Sequence, residues 1–460
     1  MSLAADSAPS PSSDSSSHDL ASASSQPALK KFLRPLHLWA IAVGLVISGD
    51  YFGWNFGLKE TSPFGMLIAV LFVTVMYVCF IFSYTELSTA IPHSGGPYAF
   101  ARRALGPFGG LFAGFATLLE FVFAPPAIAL AIGSYVHFRM PMLGKIQVAV
   151  LMYVVFAALN CWGVELAVTF ELFVTGLAVF ELLLFFGICG PHVKLSYLLT
   201  TPLIPKGIPS IFAALPFAIW FYLALEGVAM SAEEVVCPAR DIPRGYIAGL
   251  CTLVILALGT LICTSGVTST ENLTQDESPL PRAMATVLHQ DHVLTHLMVY
   301  IGLFGLVASF HGIMMGYSRQ VFALSRGGYL PAFLSHLHPK RKTPIWAVIV
   351  PGFIGLLVVL LDKTEQAISL SAIGATLLYV VSMVSLLVLR KREPQLARPF
   401  RAPLYPIFPL TALGLASVCF IAVLRSQPRL GMLTVVLFGL CTLYYQKVAR
   451  HRVLSTETIP

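Results

Sequence analysis

The stretch His37-Leu-Trp-Ala-Ile-Ala-Val-Gly-Leu-Val-Ile-Ser-Gly-Asp-Tyr-Phe-Gly-Trp-Asn-Phe-Gly-Leu58 decides how this chain folds. It is long and apolar enough to cross a bilayer, since about 20 helical residues span a hydrocarbon core of about 30 Å. Its middle, however, reads Ser48-Gly49-Asp50, a carboxylate on a permissive backbone where a plain span has neither. An Asp near the bilayer centre costs roughly 2.5–3.5 kcal/mol on insertion scales, so a residue kept there marks a function. Gly loosens the helix, and peptide groups freed at membrane depth are tolerated only beside protein or a water-filled cavity. The break points to a transport pathway.

Working outward, the same pattern of apolar runs fills the chain. Of 460 residues, 57% are hydrophobic and 11% charged, and mean hydropathy is +0.79. A soluble domain carries about 25% charged residues, which excludes that class. Hydropathy predicts an all-α polytopic membrane protein with spans at 37–58, 64–85, 108–136, 146–163, 168–190, 211–231, 245–267, 296–322, 344–361, 366–389, 405–424 and 430–447. These are about 12 transmembrane helices, each of a length that suits a tilted crossing. The membrane domain is expected over 34–448, between a disordered Ser/Ala/Pro-rich tail at 1–33 and a short tail at 449–460. The net charge of +7 is not a nucleic-acid signal, because 20 of the 29 Lys and Arg fall at one set of alternate span ends. Arg102, Arg103, Arg240, Arg244 and the runs at 340–342 and 390–392 are among them. The positive-inside rule then predicts cytoplasmic N- and C-termini in a cytoplasmic (plasma) membrane, with the lipid bilayer as the surrounding partner. The eight cysteines lie in or beside apolar runs with no CxxC pair, and read as small hydrophobes rather than as metal ligands.

A second span is interrupted in the same way, by Leu223-Ala-Leu-Glu-Gly227. Five segments separate the two breaks, as an inverted repeat of spans 1–5 and 6–10 requires, and paired broken helices mark a transporter's midplane site. Three motifs then carry a family resemblance. They are Pro92-His-Ser-Gly-Gly-Pro-Tyr98 with Arg102-Arg-Ala-Leu-Gly-Pro107, then Glu226-Gly-Val-Ala-Met-Ser-Ala-Glu-Glu234 with Pro238-Ala-Arg-Asp-Ile-Pro-Arg244, and Ser318-Arg-Gln-Val-Phe-Ala-Leu-Ser-Arg-Gly-Gly-Tyr-Leu-Pro331 with Pro339-Lys-Arg-Lys-Thr-Pro344. Together they resemble the amino acid–polyamine–organocation (APC) superfamily over residues 37–447. The run from Ser48 to Gly57, with Glu120 and Pro125 in span three, looks like the ethanolamine permease group. The resemblance implies a LeuT-type 5+5 inverted repeat plus two helices, and import of a small amine.

The site residues follow from both readings. The superfamily's amino-acid carriers usually have a Gly-Ser-Gly-like run where this chain reads Ser48-Gly49-Asp50. Such a run is a nest of N–H groups that holds the substrate carboxylate. With Asp50 in it, the site supplies its own anion, so a cargo with an ammonium and no carboxylate fits; the bland alternative is that Asp50 only caps the outer half-helix. Tyr51 and Tyr222, with Trp54, Trp220 and Phe221, offer aromatic faces for a cation. Ser309 is a polar group on span eight, and His311 beside it reads as a packing residue. Glu226 stands at the second break, two residues after Ala224, where the resemblance leads one to expect Gly. Glu120 and Glu181 are further acids at membrane depth, so Glu226, Glu120 and Glu181 are the coupling candidates. Proton-coupled members often carry a Lys in span five, where this chain has Ala178, so H+ and Na+ both stay open as coupling ions. No cofactor, no metal site and no enzyme motif is present in the sequence reading. The expected function is a secondary active permease or symporter for ethanolamine or a similar small amine. The alternative is an APC-type permease or antiporter for neutral or cationic amino acids. Oligomeric state has no signature in the sequence.

Overall fold

A computed structural model describes residues 31–162, 167–275, 277–341 and 343–455. Span one starts as α1 (Pro35–Val46), unwinds, and continues as short helical turns to Glu60. It is followed by α2 (Pro63–Ala90), α3 (Pro97–Arg139), α4 (Lys145–Trp162), α5 (Ala167–Cys189) and α6 (Pro209–Ile219). After a second break come α7 (Pro238–Val267), α8 (Val293–Arg326), α9 (Ile345–Leu360), α10 (Thr364–Arg392), α11 (Ile407–Ser426) and α12 (Pro428–Tyr444). Ten of these twelve spans are long and apolar enough to cross a membrane, and α6 and α9 are shorter apolar helices. Local chemistry places several starts. Proline opens α1, α2, α3, α6, α7 and α12, where a missing N–H costs nothing, and the Ser62 hydroxyl caps α2 by accepting the Gly65 N–H at 3.1 Å.

The helix pairings reveal the repeat. α1 lies on α7 as α6 lies on α2, and α3 lies on α10 as α8 lies on α5. Likewise α3 meets α4 as α8 meets α9, and α1 meets α5 as α6 meets α10. Exchanging the halves, by adding five to helices 1–5 and subtracting five from helices 6–10, therefore maps one contact onto another. An odd shift of five spans also reverses direction through the membrane, so the repeat is inverted, in agreement with the sequence reading. α11 and α12 stand outside it, with α11 packed on α10 and α2.

Burial separates the core from the rim. Over its most apolar stretch α3 is 83% buried, whereas the α12 segment is 17% buried and turns Met432, Val435 and Leu440 outward. Such a collar of exposed aliphatics is stable only against lipid or another apolar surface.

The packed body extends past the expected 34–448 at both ends. Leu33 is wholly buried and pairs as a parallel β-bridge with Val235. Beyond α12 the helical path runs on to Ser455, and Arg102 donates to the Val453 carbonyl at 3.2 Å. Hydropathy misses both because short segments docked by backbone bonds need no apolar run. The rest of the N-terminal tail lies outside the described residues. The Pro92–Pro97 linker leads directly into α3, whose first turns are set off by a kink at Gly106, φ +81°.

Candidate functional site

In span one, the helix pauses at Ile47 and makes one more turn over Ser48–Tyr51. It then opens fully at Phe52, extended at φ −161°, and Gly53, φ +90°. Ser309 on α8 stitches the inner edge of this break, its hydroxyl donating to the Leu45 carbonyl at 2.6 Å. The Ser48 hydroxyl lies 2.8 Å from Ser309, so these two side chains satisfy each other. Gly49 has a steric reason: a Cβ there would sit 2.3 Å from the Trp220 carbonyl oxygen. The two breaks pack backbone to backbone, and only glycine admits that approach.

Asp50 is the anomaly of the site. Its side chain is wholly buried and neither carboxylate oxygen has a hydrogen-bond partner among the described residues. It does not cap the outer turns; its backbone carbonyl accepts the Trp54 indole N–H at 3.2 Å. Trp54 in turn stacks on Phe221 with centroids 5.6 Å apart, and the phenols of Tyr51 and Tyr222 lie within electrostatic reach of the Asp50 charge. A carboxylate in such a place costs several kcal/mol unless a cation meets it. Aromatic faces beside it favour an organic cation.

The second break is built around Ala224, which adopts the left-handed conformation at φ +75° despite its Cβ. Unwinding therefore occurs without the glycine, and Glu120 is the reason: its Oε1 accepts the Ala224 N–H at 3.0 Å. The Ala224 carbonyl takes the Gly227 N–H at 3.0 Å, so both backbone groups of Ala224 are engaged and its role is shaping. Beyond the turn, residues Leu225–Glu234 form a 3-10 run carrying Glu226. Glu120 Oε2 and Glu226 Oε1, both buried, have no hydrogen-bond partner among the described residues, and Tyr379 of α10 donates to Glu226 Oε2 at 3.2 Å. Tyr77 of α2 joins the row, its hydroxyl 2.7 Å from that of Tyr379, and Tyr222 meets Thr74 at 2.7 Å. Ionised carboxylates only accept, so a Glu120–Glu226 bond needs a proton on one of them.

Glu181 on α5 lies apart from this pair. It reaches the site through Tyr51, whose hydroxyl donates to Glu181 Oε2 at 2.6 Å, while Tyr135 donates to the Tyr51 carbonyl at 2.8 Å. His311 turns to the opposite side of α8, against Asn160 at 3.1 Å and the Phe156 ring. Tyr77 and Tyr379 were not singled out from the sequence. Their signal was a lone phenol in the middle of an apolar run, weaker than a charge but of the same kind. Glu171, near the start of α5, is a further buried acid that the sequence reading passed over.

Closures at both ends seal the site. At the basic end, Phe32 and Leu33 pair with 234–236, and Arg319 binds Glu234 at 2.8 Å. At the other end, Lys145 binds Glu277 and Asp362, each at 2.8 Å, and Asn55 donates to the Leu273 carbonyl at 2.8 Å.

Comparison with known proteins adds the following. The family model described as amino acid permease matches residues 37–429. An uncharacterized transporter of Rhizobium meliloti is 31% identical over 414 residues, covering 87% of this chain and 88% of that protein. A branched-chain amino acid permease of Bacillus subtilis is 26% identical, covering 91% of this chain and 92% of its own. A methylthioribose transporter of the same organism is 24% identical, with 86% and 89% covered.

Proposed function

This chain belongs to the amino acid permease family, a family of transporters and not of enzymes, and we propose that it moves a small amine lacking a carboxylate. Ethanolamine is the leading cargo, carried by alternating access as a proton- or sodium-coupled symporter. One observation carries the reading: the Asp50 carboxylate, buried at the span-one break with no partner of its own. An ammonium supplies what that carboxylate lacks. An amino acid would bring a second carboxylate toward it, and like charges a few ångströms apart repel strongly in a low-dielectric site. That one relative carries methylthioribose shows the scaffold accommodating something other than an amino acid in that protein.

The remaining site residues take roles around this centre. Ser48 and Ser309 hold the break in register, Gly49 lets the two breaks meet, and Tyr51 and Tyr222 flank the ammonium. Glu120 and Glu226 share a proton beside the second break and are the first coupling candidates; Glu181 acts through Tyr51. The charge bias along the sequence supports cytoplasmic termini and a location in the cytoplasmic membrane.

The competing reading, a neutral or cationic amino acid as cargo, is favoured by the branched-chain permease relative. One experiment separates them: uptake of labelled ethanolamine into proteoliposomes against excess unlabelled ethanolamine, alanine, leucine, serine or arginine. Self-competition alone is expected. No saturable uptake of ethanolamine, or its suppression by any of the amino acids, overturns the proposal.

A further inference from the structure

We propose that Cys189 and Cys263 form a redox site at the ends of α5 and α7, two thiols that close to a disulfide and lock those helices together. It rests on the transporter reading but not on the identity of the cargo. In the sequence the two cysteines lie far apart, each in an apolar run of its own; the packing of α5 on α7 brings them face to face.

Register makes the argument. α5 and α7 are both odd-numbered spans, so they run the same way through the molecule, and two close approaches pin them side by side. A Cβ on Gly259 of α7 would lie 2.6 Å from the Phe186 ring of α5, and one on Gly266 would lie 2.6 Å from Val193 Cγ1, just past a short 3-10 turn at the end of α5. The step from Phe186 to Val193 equals the step from Gly259 to Gly266, close to two helical turns, so the chains keep pace between the two contacts. Residues that look at a neighbouring helix recur three or four positions apart. Three on from Phe186 is Cys189, and four on from Gly259 is Cys263, so each thiol takes the facing position, about one residue or about 1.5 Å out of step with the other. The two thiols lie within electrostatic reach of one another, and both are free. Immediately beyond them the Lys194 N–H donates to the Gly266 carbonyl at 2.8 Å, which draws the backbones together there.

Exposure orders the chemistry. Cys263 is 8% exposed and Cys189 is wholly buried, so a small apolar disulfide reaches Cys263 first. The Cys263 sulfur displaces one thiol from that reagent and forms a mixed disulfide; Cys189 then attacks the Cys263 sulfur and expels the second thiol. The two cysteines give up two protons and two electrons, and one external disulfide is reduced to two thiols. The pair lies at the end opposite Arg319 and Glu234, which the charge bias reads as the outer face, where disulfides persist.

Position gives the bond a consequence. α7 packs along α1, whereas α5 carries Glu181, the acceptor of the Tyr51 hydroxyl beside Asp50. Joining α5 to α7 fixes the outer arm of span one between two helices that can no longer part, with that end sealed as it stands. Reduction of the disulfide releases it.

Two measurements test the site. In the first, purified full-length protein is treated with dithiodipyridine, a small apolar disulfide, and mapped by peptide mass spectrometry without reduction. A peptide joining Cys189 to Cys263, two hydrogens lighter than its parts, is expected in wild type, and in Cys189→Ser a pyridylthio adduct that stays on Cys263. An adduct on Cys263 with no joined peptide in wild type, or no reaction at either cysteine, overturns the proposal. In the second, labelled ethanolamine uptake into proteoliposomes is compared before and after the same treatment. Uptake by wild type should fall at least fivefold and return with a phosphine reductant. Cys189→Ser and Cys263→Ser should transport within about twofold of untreated wild type and ignore the reagent. A joined peptide with unchanged uptake, or an equal loss in Cys189→Ser, overturns the lock. Failure of untreated wild type to take up ethanolamine overturns only the cargo reading. Hydrogen exchange then decides the lock, since the joined protein should exchange at least threefold more slowly over residues 186–194, and an unchanged rate overturns it.

Discussion

Replacing Asp50 by Asn keeps the shape of the side chain and removes its charge, which makes it the most direct probe of the site. Asp50 is wholly buried and makes no hydrogen bond through its carboxylate, so on the proposed reading a bound ammonium compensates it. Breaking a buried ion pair costs about 3–5 kcal/mol. At about 1.4 kcal/mol per tenfold, affinity for ethanolamine should fall by roughly 150- to 4,000-fold. Stability should barely change. The wild-type protein without cargo buries a carboxyl with no hydrogen-bond partner, as unsatisfied as the amide that would replace it, so the variant should stay within about 1 kcal/mol of wild type. The signature is thus a protein that melts close to wild type and has lost its ligand. Trp54 and Trp220 flank the break, so quenching of intrinsic fluorescence reads binding, and a thermal melt of the same sample reads stability. A variant that binds ethanolamine within tenfold of wild type refutes the ion-pair argument; one that melts far lower shows Asp50 to be structural.

Further expectations follow from other contacts. Ala224→Gly removes the strain of a Cβ in the left-handed region and should stabilise the protein by about 1 kcal/mol, read as a higher melting temperature; Ala224→Val should lower it. Tyr379→Phe takes the donor from Glu226 and the partner from Tyr77, at a cost of about 1–3 kcal/mol, and coupled uptake should fall while detergent-solubilised protein stays folded. Lys145→Met releases Glu277 and Asp362, so hydrogen exchange should rise in residues 268–278 more than elsewhere. At the basic end, burial holds the His93 imidazole below its ordinary value, against the pull of Glu233 at 3.9 Å. The fold therefore keeps His93 neutral, its stabilisation is present above the unfolded value near 6.5, and it is lost as pH falls below that point. His93→Gln should flatten the melting temperature between pH 7 and 5.

Much of this was legible because charge is scarce inside an apolar chain. Asp50 and Glu226 stand out in runs that otherwise bury no charge, and their spacing of five spans carries the repeat. Ala224 was harder. A residue with a Cβ gives no sign of a positive φ, and the acceptor that holds it there, Glu120, is 104 positions away in sequence. Glu171 was missed for a different reason. Near the end of a span an acid reads as facing water, and only the rotation of α5, fixed by packing on α1 and α8, turns it inward onto Gly44. The kink at Gly106 and the docked segment at 450–455 depend likewise on tertiary contacts that no local period encodes.

The short pairing at the basic end has a mechanical meaning. The N–H groups of Phe32 and Leu33 both donate to the Glu234 carbonyl, at 2.9 and 3.0 Å, and the Val236 N–H returns to Leu33 at 3.0 Å. Phe32 and Leu33 immediately precede α1, and Glu234 ends the run that begins at the second break. The lower arms of the two interrupted spans are thus yoked, and a swing of one drags the other. A chain trimmed to begin at Arg34 would keep every apolar span and still lose that yoke, leaving each arm to move out of step with its twin.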